Sequence, residues 1–162
     1  MREVVCNTSP IQYLHQVGLL HVLPALAGRV IVPSAVAMEL AVGRAAGIDV
    51  PDISLLQWIE IRRPASAPAS RLITDLGLGE TEVLMLAIES TDPLVVLDDG
   101  VARKVASSLK LPLTGTVGLL IDAKRAGLVP AIAPVLDQLD NLRFRLAAAT
   151  RLAALRSAGE VP

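Results

Sequence analysis

TDPLVVLDDGVAR, residues Thr91 to Arg103, is an apolar run that stops at two adjacent carboxylates and a glycine. Leu94 to Leu97 carry no polar side-chain atom, and Val95 and Val96 are β-branched, the pattern of a strand covered on both faces. A helical pattern follows Gly100. Strands of that kind lie in parallel sheets with helices on either side, where chemistry collects outside the carboxyl ends of the strands. Asp98 and Asp99 stand at such an end.

Outward from this stretch, strands and helices alternate. Val4 to Cys6, Arg29 to Val32, Trp58 to Ile61 and Leu113-Thr114 read as further strands. Ser9 is a candidate N-cap and Pro10 fits a first helical turn, so a helix is expected from there to Val17, broken by Gly18. Further helices are expected over 19–27, from Pro33-Ser34 onward, over 80–90, after Gly100 to Leu109, over 116–126 and up to Asn141. Gly43 to Ser54 reads as a loop, and so does Arg62 to Ser70, RRPASAPAS. The alternation implies one α/β domain over 1–146, a three-layer α/β/α sandwich around a central, mostly parallel sheet. Residues 147–162 read as a helical tail packed on the domain or on a partner subunit.

The chain is 52% hydrophobic but only 2% aromatic, so its core must be built from Leu, Val, Ile and Ala. A formal net charge of −1 gives no global attraction to nucleic acid, and polyanion binding would need a local basic patch or a metal ion. Cys6 is the only cysteine, which excludes an intramolecular disulfide and a thiolate metal cluster. No apolar run approaches the roughly 18 residues of a membrane span, and the N-terminus lacks a signal-peptide layout. A soluble, cytoplasmic protein is the expectation.

Some carboxylates stand out of place. Glu39 is the only charged residue between Arg29 and Arg44, in an otherwise apolar helix, where a lone carboxylate costs desolvation energy unless it finds partners. Glu80 begins a helix, where the orphan N–H groups favour a carboxylate, and it shares a face with Val83, Leu84 and Ala87. Glu82 and Glu89 fall on another face and read as solvent charges. Asp98 and Asp99 end the central strand, with a helix-capping turn as the plainer alternative. Asn7 ends the first strand. If these groups share a cleft, their mutual repulsion calls for a cation, and an all-oxygen donor set selects Mg²⁺ or Mn²⁺.

Other signals are weaker. His15 and His21 are six apart and do not share a helix face, so they make a poor metal pair. Gly77-Leu78-Gly79 precedes a helix but lacks the G-x-x-x-x-G-K-[ST] pattern of phosphate binding. Arg62-Arg63 and Lys124-Arg125 are candidate basic patches, with ordinary surface as the plainer reading. A phosphotransfer domain with Asp98 or Asp99 as phosphoacceptor would need a second acidic pair at the first strand, and none is there.

Five blocks together resemble a PIN domain, a metal-dependent ribonuclease fold, in the prokaryotic branch related to VapC-type toxins: VVCNTSP, VPSAVAMEL, LGLGETEVLMLAIES, LVVLDDGVARKVA and LTGTVGLLIDAKRAGLV. The resemblance implies acidic site positions at Asn7, Glu39, Glu80 and either Asp98 or Asp99. Glu39, Glu80 and Asp98 would be catalytic, and Asn7, Glu80, Asp98 and Asp99 would hold Mg²⁺ or Mn²⁺. Ser9, Arg103 and Thr116 would meet an RNA substrate, with Lys104 beside them. It further implies an antitoxin protein as partner and a homodimer. Asn7 departs from the pattern, which has Asp there. An amide oxygen brings no negative charge, so metal is expected to bind more weakly, and a non-catalytic binding module is the alternative.

Overall fold

A computed structural model describes residues 2–66 and 76–162. Its strands are β1 (Glu3–Cys6), β2 (Val30–Pro33), β3 (Ile59–Arg62), β4 (Pro93–Val96) and β5 (Leu113–Thr114). They form one sheet in the order β3-β2-β1-β4-β5, and every neighbouring pair is parallel. The described helices are α1 (Thr8–Gln16), α2 (Val22–Ala27), α3 (Ser34–Ala45), α4 (Leu78–Glu89), α5 (Gly100–Ser108), α6 (Thr116–Arg125), α7 (Ala133–Asn141) and α8 (Ala148–Ser157). This is the three-layer α/β/α sandwich with a parallel central sheet.

β1 lies between β2 and β4, with Val5 opposite both Ile31 and Val95. The chain first builds outward through β2 to β3, then returns to the other side of β1 for β4 and β5. Strand order therefore reverses between β1 and β4. Such a reversal opens a crevice at the carboxyl ends of the strands, because the connecting helices depart to opposite faces. Asn7 follows β1 and Asp98 follows β4, so both stand at that crevice.

The central strands are buried on both faces: Val5, Val30, Val32, Val95 and Val96 are inaccessible to solvent. α4 is buried almost all round, with Val83, Leu84, Met85, Leu86 and Ala87 consecutively covered. It packs against β1, β2, β4, α3 and α5, so its sequence does not show one apolar stripe. Tyr13 and Phe144, two of the chain's three aromatic residues, meet edge to face with ring centroids 4.9 Å apart.

Several local expectations change. Asn7, not Ser9, holds the N-cap position of α1, with extended backbone and a side chain that caps nothing. α2 begins at Val22, because 19–21 form a turn. Within the expected loop at Gly43 to Ser54, α3 continues to Ala45 and a 3₁₀ turn forms at Ile53–Leu55, capped by Asp52. Arg62 ends β3 and bonds Glu3 and Glu60 at 3.0 and 2.7 Å; residues 63–66 follow as irregular chain, and 67–70 of the expected loop lie outside the described residues.

Glu82 is not simply a solvent charge, and Glu89, though exposed as expected, also has partners. Glu82 accepts from Ala35 N–H at 2.8 Å and from the Ser34 hydroxyl at 3.1 Å, which caps α3. Glu89 accepts from Ala65 N–H at 3.0 Å and Ser66 N–H at 3.2 Å. Both carboxylates thus satisfy backbone donors of neighbouring segments, Glu82 at a helix start in a partly buried setting and Glu89 at the surface. The tail also packs on its own domain: α8 lies against α6, and Glu160 accepts from Ile132 N–H at 2.7 Å while pairing with Lys124 at 3.1 Å. No described helix is long and apolar enough to cross a membrane.

Loss of the Glu82 cap in Glu82→Ala is expected to lower stability by about 1 kcal/mol, the usual cost of an N-cap. Urea unfolding measures this directly, and an unchanged midpoint would show that the α3 terminus does not depend on the carboxylate.

Candidate active site

Asn7 is 3% exposed, and its backbone N–H donates to the Val96 carbonyl at 3.1 Å, which prolongs the β1–β4 pairing to the strand end. Its side-chain Nδ2 donates to Glu80 Oε1 at 3.2 Å. Its Oδ1 is buried without a hydrogen-bond partner among the described residues. A buried acceptor left unpaired costs roughly 1–3 kcal/mol and marks a place that a cation or a donor would satisfy.

Thr8, the first residue of α1, donates its hydroxyl to Glu39 Oε2 at 2.5 Å. Two pairs thus sit side by side at the end of β1, Asn7 with Glu80 and Thr8 with Glu39. Two glycines make room for them. A Cβ at Gly77 would stand 2.6 Å from Glu80 Oε2, and one at Gly79 would stand 2.6 Å from Glu39 Oε1. The glycines of the Gly77-Leu78-Gly79 run therefore serve carboxylates, not a phosphate.

Asp98 is held from across the β4–β5 edge. Thr116 donates its N–H to Oδ1 at 2.8 Å and its hydroxyl to Oδ2 at 2.6 Å. Burial raises the Asp98 pKa above the ordinary carboxylate range, against the opposing effects of the Thr116 bonds and the Arg103 charge. Burial, with the Asp98 charge second, also pushes the neighbouring Cys6 thiol well above its usual value, so Cys6 is an inert core thiol. Arg103 donates from Nη1 to the Leu97 carbonyl at 2.8 Å.

Asn7, Glu39 and Glu80 are drawn together, and Asp98 and Thr116 bond each other at the neighbouring strand end. Asp99 is engaged elsewhere, with Oδ2 capping α5 through Ala102 N–H at 2.8 Å. Ser9 lies in the first turn of α1, and its side chain makes no hydrogen bond among the described residues. Thr8 was the hydroxyl that sequence reasoning passed over. Its signal was adjacency, since the residue after a strand-end Asn starts the helix at the same rim.

The donors are all oxygen, and the buried, unpaired Asn7 Oδ1 stands beside Glu80, which suits a hard cation. Among the described residues no three His, Cys, Asp or Glu side chains stand close enough to hold one ion. The residues thus fit Mg²⁺ or Mn²⁺ taken by one or two protein oxygens, with water and phosphate completing the shell, rather than an all-protein cage.

The raised Asp98 pKa has a pH consequence. Between the ordinary value and the raised one, the folded state binds more protons than the unfolded chain, so stability falls as pH rises. The penalty is absent below the unfolded value and complete above the folded one. Asp98→Asn removes it, so the stability of this variant relative to wild type should rise from acid to neutral pH. Denaturation midpoints across that range check this, and a flat or falling difference would put the carboxyl at or below its ordinary value.

No curated protein matches the chain, but a family model described as a PIN domain matches residues 3–160. That span takes in every strand and every site residue above, as well as α8. PIN domains are generally nucleases and typically use divalent metals. The chain belongs to the PIN-domain family.

Proposed function

We propose that the protein is a metal-dependent endoribonuclease of the PIN type. The observation that supports it is the buried, unpaired Asn7 Oδ1 beside Glu80 at the strand-order reversal, with Glu39 and Asp98 held on adjoining elements. Asn7 and Glu80 would hold Mg²⁺ or Mn²⁺, and Asp98 would add negative charge at the next strand end. When bound, such an ion supplies charge for phosphate oxygens and a water of lowered pKa. Glu39, steadied by Thr8, would orient the attacking water. Arg103 would meet a phosphate oxygen, since only one of its five N–H donors is used on Leu97. Thr116 would act by fixing Asp98, because its hydroxyl and N–H are both committed there.

The resemblance to VapC-type toxins supports a role as the toxin of a toxin–antitoxin pair, acting in the cytoplasm. Exposed apolar side chains support a protein partner, an antitoxin or a second subunit: Met38 and Val42, four residues apart on α3, are 68% and 64% exposed, and Leu55 is 76% exposed.

One observation favours a second reading, a non-catalytic PIN-like module that binds nucleic acid or protein. The Asn7 amide already satisfies Glu80 with a neutral donor, so the pair is stable without an ion.

RNA cleavage by the purified protein with Mg²⁺ or Mn²⁺ separates the two. Glu80→Gln and Asp98→Asn should each reduce cleavage by about 10²-fold or more. If metal-loaded wild type cuts no RNA, the nuclease proposal falls. A gain of metal affinity in Asn7→Asp from a near-zero baseline would then favour the binding module.

A further inference from the structure

Beside Asp98, on the β5 side, a cavity of about 350 Å³ opens between Gly115, Gly118, Arg103 and the α7–α8 connection at Phe144 and Arg145, with Thr150 of α8 at its rim. We infer that this cavity is a nucleotide subsite, taking one unpaired nucleotide of single-stranded RNA next to the cut, with its phosphate held by Arg103 and Arg145 and its base against Phe144. The inference rests on the nuclease proposal for its choice of ligand.

Charge is the first argument. Arg2, Arg29, Arg44, Arg62, Arg125 and Arg151 each stand within ion-pair distance of an acidic group. Arg103 and Arg145, like Arg63 and Arg143, have no such partner among the described residues, and Arg103 and Arg145 both line this one cavity. Arg103 is oriented by the Leu97 carbonyl, which leaves the rest of its guanidinium for another acceptor. Two guanidinium groups against one carboxylate favour an anion, and the planar donor fork matches phosphate.

Construction is the second. Gly115 forms part of the wall, where a Cβ would stand 2.8 Å from Asp98 Oδ1 and 2.9 Å from Arg103 Nη1. A side chain there would displace both groups, so the bare backbone keeps an acid and a guanidinium together at the cavity wall. The third is aromatic placement. Phe144 is the chain's only phenylalanine, and it lines this cavity with its ring set edge to face against Tyr13. Bases that have left a helix stack on such rings, whereas paired bases cannot reach them. The volume is at the small end of ligand pockets and suits one nucleotide.

The test is binding of a fluorescently labelled single-stranded RNA hexamer in EDTA, so that no cleavage occurs. Arg145→Ala should weaken binding about tenfold and reduce the salt slope by about 1, with Arg145→Lys recovering part of the loss. Phe144→Leu should weaken binding of the hexamer about tenfold or more. Arg29→Ala, at the opposite end of the strands, should bind as wild type does. If Arg145→Ala also binds as wild type does, or wild type binds no hexamer, the subsite is overturned. Cleavage in Mg²⁺ is scored separately: Arg145-dependent binding without cleavage keeps the subsite and removes the nuclease proposal. Cleavage with Arg145-independent binding does the reverse.

Discussion

Cys6 lies opposite Val96 in the parallel pairing of β1 with β4, and the Asn7 N–H continues that ladder to the Val96 carbonyl. This register decides which side chains meet at the strand ends. A slip of one residue would turn Asn7 and Asp98 to the wrong sides, because side chains alternate faces along a strand. It is secured by burial: Val5, Val95 and Val96 are fully enclosed, and any shift would bring polar groups into their place. The candidate site is thus a by-product of how the centre of the sheet packs. α4 completes it, since the helix crosses both strands and delivers Glu80 to the end of β1.

The carboxylates at that end differ from most others in the molecule in how they are held. Glu3 and Glu60 are neutralised by Arg62, Asp52 by Arg44, Asp137 by Arg151 and Glu160 by Lys124. Glu39, Glu80 and Asp98 accept instead from an alcohol, an amide and the paired donors of Thr116. Neutral donors fix a carboxylate in place without cancelling its charge. Glu39 and Glu80 at the end of β1 are thus held without a paired cation among the described residues, a setting that suits a divalent cation, while Asp98 also feels the Arg103 charge.

The sheet was legible because Val95 to Leu97 have only one comfortable environment, and the alternation around them leaves few topologies. Glu39 and Glu80 were legible because a carboxylate amid apolar helix residues demands a reason. Glu82 was misread for the converse cause: a periodicity argument assumes one buried face, and the middle of α4 is covered on more than one. The capping duty of Asp99 could be named but not chosen, since a strand-end acid and an N-cap have the same local sequence. Arg145 and Phe144 were out of reach, because only the path of the chain between α7 and α8 carries them across to Asp98.

Asn7 links these points. An Asp in its place would set two carboxylates about 3 Å apart, an arrangement stable only when one is protonated or an ion lies between them. The amide removes that repulsion and gives Glu80 a donor, at the cost of leaving Oδ1 unsatisfied in a buried position. The same amide would weaken the hold on an ion, because a cation entering an acid pair gains both attraction and relief of repulsion, and here only the first would be available. An ion at this site would lean on groups outside the pair, on the Asp98 charge and on the phosphates of whatever the cavity beside it receives.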